Sequence, residues 1–150
     1  MKKDILKFSP YVKKKLQVIL NGVPVSKINK SPVYVGPKPY ILFVGRLNPQ
    51  KNASSLIHSF AKIADQIPQV DLLIIGEGEE ERKLRNIVET RDLVSRVHFL
   101  GAKDRNEIFS YIKGSEFVVL PSVDEGHPLV VLETLAANKI CIGSNVKGIS

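Results

Sequence analysis

From Tyr40 onward, short apolar runs alternate with stretches of helical pattern, and that alternation leaves few folds open. The runs are Tyr40–Val44, Asp71–Ile75, Val97–Leu100, Phe117–Leu120 and Ile140–Gly143. The helical stretches are Ala53–Gln66, Glu79–Glu89, Asp104–Lys113 and Leu129–Ala137. A strand that is apolar throughout is covered on both faces, which is the mark of a parallel sheet. Parallel neighbours need crossover connections, and these are right-handed. The expected fold is α/β, a doubly wound parallel sheet of the Rossmann-like kind, with ligands at the carboxyl ends of the strands. Gly45-Arg46, Gly76-Glu77-Gly78, Gly101 and the segment from Glu125 all fall there.

At 150 residues the chain suits one domain with a real core. No apolar run approaches the length of a membrane span, and Met1-Lys2-Lys3-Asp4 does not open a signal peptide. A lone cysteine, Cys141, excludes an internal disulfide and fits a reducing compartment. It lies in the apolar run Ile140–Ile142, so a core position is expected. His58, His98 and His127 are too scattered to give a metal-ligand spacing. The net charge of +7 is uneven. Residues 1–38 hold nine lysines against one aspartate, and residues 39–150 hold thirteen Lys/Arg against fourteen Asp/Glu. Residues 1–39, rich in lysine and proline, read as a basic terminal segment and linker. The bland reading is a solvated segment; the other is contact with anionic lipid or nucleic acid. No repeated aromatic–basic pattern supports a nucleic-acid partner.

The stretch Glu125-Gly126-His127-Pro128-Leu129-Val130-Val131-Leu132-Glu133 is the richest in chemistry. Pro128 suits a first helical position, where its missing N–H costs nothing. The N–H groups of Leu129 and Val130 are then free donors at a positive helix end. Glu133 is the only charged side chain from Leu129 to Asn138, amid apolar surface, and needs a partner. Two readings stay open: a site for something rich in hydroxyls, or a helix start with a buried ion pair. Arg46 and Lys51, flanking a turn at Asn48-Pro49, are likewise either surface cations or a forked donor and point charge suited to a diphosphate. Gly76-Glu77-Gly78 is not a dinucleotide fingerprint. Its third glycine is replaced by Glu81, and four glutamates in the loop would repel a pyrophosphate. It reads as a turn into an acid-rich helix start.

In order along the chain, four segments resemble retaining glycosyltransferases of family 4 (glycosyl transferases group 1). They are Val18-Ile19-Leu20-Asn21-Gly22-Val23, similar to the interdomain linker; Gly45-Arg46-Leu47 with Lys51; Val97-His98-Phe99-Leu100-Gly101; and Glu-Gly-x-Pro-Leu-x-x-x-Glu from Glu125 to Glu133. The resemblance covers residues 16 to 150. It departs at Pro24, where aspartate is common, at His127, where Phe or Leu is common, and at Asn138, which replaces a glycine. Asparagine tolerates the left-handed conformation needed there.

The resemblance implies one half of a two-domain GT-B architecture. Residues 40–150 would be the nucleotide-sugar-binding domain, incomplete at its C-terminus and lacking the N-terminal acceptor domain. The implied activity is transfer of a sugar, with retention, from a nucleoside-diphosphate sugar to a saccharide or lipid-linked acceptor, with the fragment alone inactive. Arg46 and Lys51 would neutralise the diphosphate, with Gly45 beside them. Glu125, Gly126, His127, Pro128 and Leu129 would hold the donor sugar, Glu133 the ribose, and Leu100, Gly101 and Ala102 the base. Glu125, Arg46 and Lys51 are the candidate catalytic residues. No metal and no separate cofactor are implied, and the location would be cytoplasmic or peripheral at the inner membrane face. The rivals are a non-catalytic nucleotide-sugar or phosphate-binding module and a basic nucleic-acid or membrane-surface binder.

Overall fold

The computed structural model describes residues 21–149, together with Lys7, Ser9, Tyr11, Gln17 and Ile19. Apart from those few residues, the basic stretch at 1–20 lies outside the described part. Elements run in the order α1 (Val25–Lys30), β1 (Tyr40–Val44), α2 (Ala53–Ile63), a 3-10 turn (Ala64–Gln66), β2 (Asp71–Ile75), α3 (Glu81–Thr90), β3 (Val97–Phe99), α4 (Arg105–Gly114), β4 (Phe117–Leu120), α5 (Leu129–Ala136) and β5 (Ile140–Gly143). The five strands form one sheet in the order β3-β2-β1-β4-β5. Every pairing is parallel.

The central strands send alternate residues to opposite faces, and both faces are buried. On one face Ile41, Phe43, Leu72 and Ile74 meet Leu56, Ile57 and Phe60 of α2 and Leu84 and Val88 of α3. On the other, Tyr40, Leu42, Leu73, Ile75 and Val118 meet Ile112 of α4, with Val130 of α5 at the margin. Each such fully buried Leu, Ile or Phe contributes about 1.5–3 kcal/mol relative to exposure. Two helix ends are fixed by local chemistry. Asp104 caps α4 through a capping box, accepting from the N–H groups of Asn106 and Glu107 while the Glu107 carboxylate accepts from the Asp104 N–H. Asn138 adopts φ 57° after α5, the left-handed conformation expected of it.

Two elements differ from the sequence reading. The segment read as linker contains the short helix α1, whose Ile28 is fully buried, and Lys113 ties it to α4 through the carbonyls of Asn29 and Ser31. Strand β5 is apolar yet exposed: Ile140 is 67% and Ile142 50% accessible. It is the edge of the sheet, paired with β4 on one side only, so its composition does not place it in the core. Cys141 is accordingly half-buried rather than a core residue, with burial still raising its thiol pKa. No helix among the described residues is long and apolar enough to cross a membrane.

Tyr40 anchors the start of the central strand. Its hydroxyl donates to the Tyr111 carbonyl at 2.8 Å, and its ring meets Tyr34 edge-on at 5.9 Å. Burial, reinforced by Tyr34 and Tyr111, pushes the phenol pKa well above its ordinary value. Tyr40→Phe is expected to cost about 1 kcal/mol near neutral pH. Above about pH 10 the unfolded chain releases a proton that the folded state keeps, so the wild type loses stability as pH rises. The gap between wild type and Tyr40→Phe should therefore narrow in urea denaturation at about pH 10.5; an unchanged gap would contradict it.

Candidate functional site

The chain runs outward from β1 to β3, then returns to lay β4 beside β1. The order therefore reverses between β1 and β4, and in such sheets the crevice beyond the carboxyl ends at that switch is the usual ligand position. The loops leaving these two strands wall the crevice and are tied together. Val123 N–H donates to the Gln50 carbonyl at 2.9 Å, and the Gln50 side chain returns a bond to the Asp124 carbonyl at 2.9 Å. Asn52, held at φ 52°, donates from its side chain to the Pro121 carbonyl at 3.3 Å.

Within this crevice Lys51 and Glu125 meet. Glu125 is only 7% exposed. Its Oε1 accepts from Lys51 Nζ at 2.5 Å and from the buried Ser122 hydroxyl at 2.6 Å. Its Oε2 bonds to no described residue and is not sealed from solvent. Arg46, one residue past the Gly45 that follows β1, is exposed, and its guanidinium is unpaired among the described residues. Above Glu125 the surface is open, for a Cβ added at Gly126 would meet nothing within 4 Å. His127 is exposed as well, its carbonyl accepting from the Asn21 side chain at 3.3 Å.

Helix α5 begins at Leu129, as read from the sequence, with Pro128 one position before the first helical residue rather than occupying it. Pro128 is the N-cap, with extended ψ of 119°, and Leu129 is the first helical residue. The Pro128 carbonyl accepts from Val131 N–H at 3.2 Å, closing the first turn. The N–H groups of Leu129 and Val130 remain without a partner among the described residues. One turn on, Glu133 is 6% exposed and has the partner its surroundings demanded. Arg105, the first residue of α4, donates to its Oε1 from Nε at 3.0 Å and Nη2 at 2.7 Å. The ion-pair reading of the Glu125–Glu133 stretch thus holds for both carboxylates, and each keeps one oxygen open.

The loops after β2 and β3 complete the rim. Gly78 lies so close to β1's loop that a Cβ there would sit 2.3 Å from the Leu47 carbonyl oxygen. Gly76, at φ 133°, would collide with Gly45 at 1.9 Å. These glycines serve close backbone packing, and Glu77 reaches across to accept from the Ala102 N–H at 3.1 Å, beside Gly101 at φ 68°. Gly101 and Ala102 therefore stand at the β3 side of the rim, with β2 between them and β1, the strand that leads to Lys51. Gly148, at φ 95°, brings the last described segment down onto the carbonyls of Glu125 and Gly126.

Sequence reasoning singled out Lys51, Glu125 and Glu133 but missed Ser122, Arg105, Glu77 and Gly148. Ser122 had a signal in its three-residue offset from Glu125; Arg105 had none, since its pairing is set by how α4 meets α5. A separate hollow of about 230 Å³ opens between the linker and the sheet, lined by Tyr34, Lys38, Asp71, His98 and Leu100. Its carboxylate, Asp71, is already engaged by Arg96 at 3.0 Å and His98 at 3.1 Å, which bind β2 to β3.

Lys51→Met would leave the buried Glu125 carboxylate with a hydroxyl alone. The expected loss is roughly 2–4 kcal/mol, most of it recovered in Lys51→Met/Glu125→Gln. Denaturant unfolding of the two single variants and the double variant measures this. A single-variant loss under about 0.5 kcal/mol would mean that the pair does not hold the two loops together.

Comparison with known proteins agrees with this fold. The profile of the family described as Glycosyl transferases group 1 matches residues 25–150. An uncharacterized glycosyltransferase of Methanocaldococcus jannaschii is 33% identical over 97% of this chain and 41% of its own length. The UDP-Gal:alpha-D-GlcNAc-diphosphoundecaprenol alpha-1,3-galactosyltransferase of Escherichia coli is 36% identical over 89% of this chain and 38% of its own. The crystal structure of WaaG, a glycosyltransferase involved in lipopolysaccharide biosynthesis, superposes with a TM-score of 0.80 over 99% of this chain and 43% of WaaG, at 18% identity. The chain thus spans about two fifths of the length of these proteins, and its fold is the Rossmann-like half of a GT-B architecture. By the match of the profile over most of its length, the chain belongs to the glycosyl transferases group 1 family.

Proposed function

We propose that this chain is the donor-binding part of a retaining glycosyltransferase, which takes a nucleoside-diphosphate sugar and passes the sugar to a saccharide or lipid-linked acceptor bound by another domain. The observation that carries this reading is the meeting of Lys51 and Glu125 at the switch point, with Arg46, exposed and unpaired among the described residues, in the same loop as Lys51. A cation pair and a carboxylate with one open oxygen suit a diphosphate joined to a polyhydroxylated ring. Arg46 and Lys51 would lie against the diphosphate. Negative charge grows on that leaving group as its bond to the sugar breaks. Fixed cations therefore stabilise the transition state more than the ground state. Glu125 and the free amides of Leu129 and Val130 would take the sugar's hydroxyls, and Glu133 those of the ribose. The base would sit at Leu100, Gly101 and Ala102. The name of the Escherichia coli relative makes UDP and UDP-galactose suitable probes.

Lys51 cannot serve Glu125 and a diphosphate equally. Donor binding would draw it at least partly away from Glu125, whose charge then turns to the sugar. Glu125→Gln frees Lys51 in advance. In calorimetry its affinity for UDP should equal or exceed that of the wild type, while the added affinity for UDP-galactose is lost. Glu133→Gln should weaken both ligands by roughly 1.5–3 kcal/mol, because both carry ribose. Arg46→Ala should weaken both and flatten the salt dependence. Equal losses for Glu125→Gln with the two ligands would remove the sugar assignment. Tight UDP binding without turnover, once an acceptor domain is supplied, would favour a non-catalytic binding module.

A further inference from the structure

We infer that Arg105 is a positioning residue of the ribose subsite: it grips one oxygen of Glu133 so that the other is presented to ribose hydroxyls. The inference rests on the assignment of Glu133 to ribose made above and adds to it a residue from a different helix.

The pair is held through one carboxylate oxygen only. A guanidinium and a carboxylate left to themselves favour a two-on-two fork, with each oxygen taking one N–H. Here Nε and Nη2 both converge on Oε1, at 3.0 and 2.7 Å. Oε2 bonds to no described residue and is not sealed from solvent, although the Glu133 side chain as a whole is 8% exposed. The terminal torsion of a glutamate is soft. Two converging donors fix it, so that a ligand meets an acceptor already in place and the cost of ordering it is avoided.

Arg105 is itself held. It is the first residue of α4, directly after the capping-box residue Asp104, whose carboxylate faces the N–H groups of Asn106 and Glu107 and does not compete for the guanidinium. The guanidinium lies 5.9 Å from the centre of the Phe109 ring. Its side chain is 52% exposed, so solvent screens the arginine end of the pair, whereas the Glu133 end is buried. What the grip changes is where the Glu133 carboxylate points.

The test compares UDP with 2′,3′-dideoxy-UDP, which lacks the ribose hydroxyls. Calorimetry is run on wild type, Arg105→Gln, Arg105→Lys and Glu133→Gln, with thermal unfolding as the folding control. The wild type should prefer UDP by about tenfold, equivalent to about 1.4 kcal/mol. Arg105→Gln should shrink that preference below about threefold while leaving dideoxy-UDP affinity within about twofold. Arg105→Lys, a point charge with no fork, should fall between. Equal weakening of both nucleotides in Arg105→Gln would place its charge on the diphosphate or in the fold and overturn the inference. A preference unchanged in Arg105→Gln would overturn it too. If Arg105→Gln does not fold, an undiminished preference in Arg105→Lys overturns it. A full preference retained by Glu133→Gln, or a wild type that shows no preference or binds neither nucleotide, would instead refute the ribose assignment, and this inference with it.

Discussion

The contact on which the site depends is the buried cluster of Lys51, Ser122 and Glu125. A carboxylate this enclosed is costly unless it is paired and hydrogen-bonded. Here one oxygen receives both a lysine and a serine, at 2.5 and 2.6 Å. Because Lys51 follows β1 and Glu125 follows β4, the pair also fixes how the two loops stand across the switch point. The bonds from Gln50 and Asn52 to the backbone of the β4 loop run alongside it. Gly148 closes on the same loop from behind, at a distance no other residue would allow.

The same logic recurs one turn into α5. Glu133 and Arg105 repeat the pattern of a buried carboxylate with one oxygen held and one open. Among the described residues, Glu125 and Glu133 each hold a cation, and Arg46 is left unpaired. Under the donor-site reading, a diphosphate competes with Glu125 for Lys51, and the sugar replaces what Glu125 loses. Binding becomes an exchange of partners between loops already tied to each other.

How much of this was legible in the sequence depends on the range of the interaction. The parallel sheet was legible because β1, β2 and β4 are covered on both faces and so carry nearly unbroken apolar runs, and the strand limits agree to within a residue. Helix α1 was not, since it is six residues long behind Pro24 and owes its place to the burial of Ile28. β5 misled because an apolar run says nothing about whether a strand lies inside or at an edge. In the site, the need of Glu133 for a partner was plain from its neighbours. That the partner is Arg105, and that Lys51 and Glu125 face each other over 74 positions of sequence, follows only from the packing of helices and loops.

The measurement that bears most directly on the donor-site reading is a crystal structure of the chain with UDP bound. It is expected to show the diphosphate between Arg46 and Lys51, with Lys51 Nζ moved off Glu125 Oε1, and the ribose hydroxyls on Glu133 Oε2. A nucleotide bound elsewhere on the molecule, or one seated in the crevice with the Lys51–Glu125 pair intact and Arg46 turned away, would contradict it.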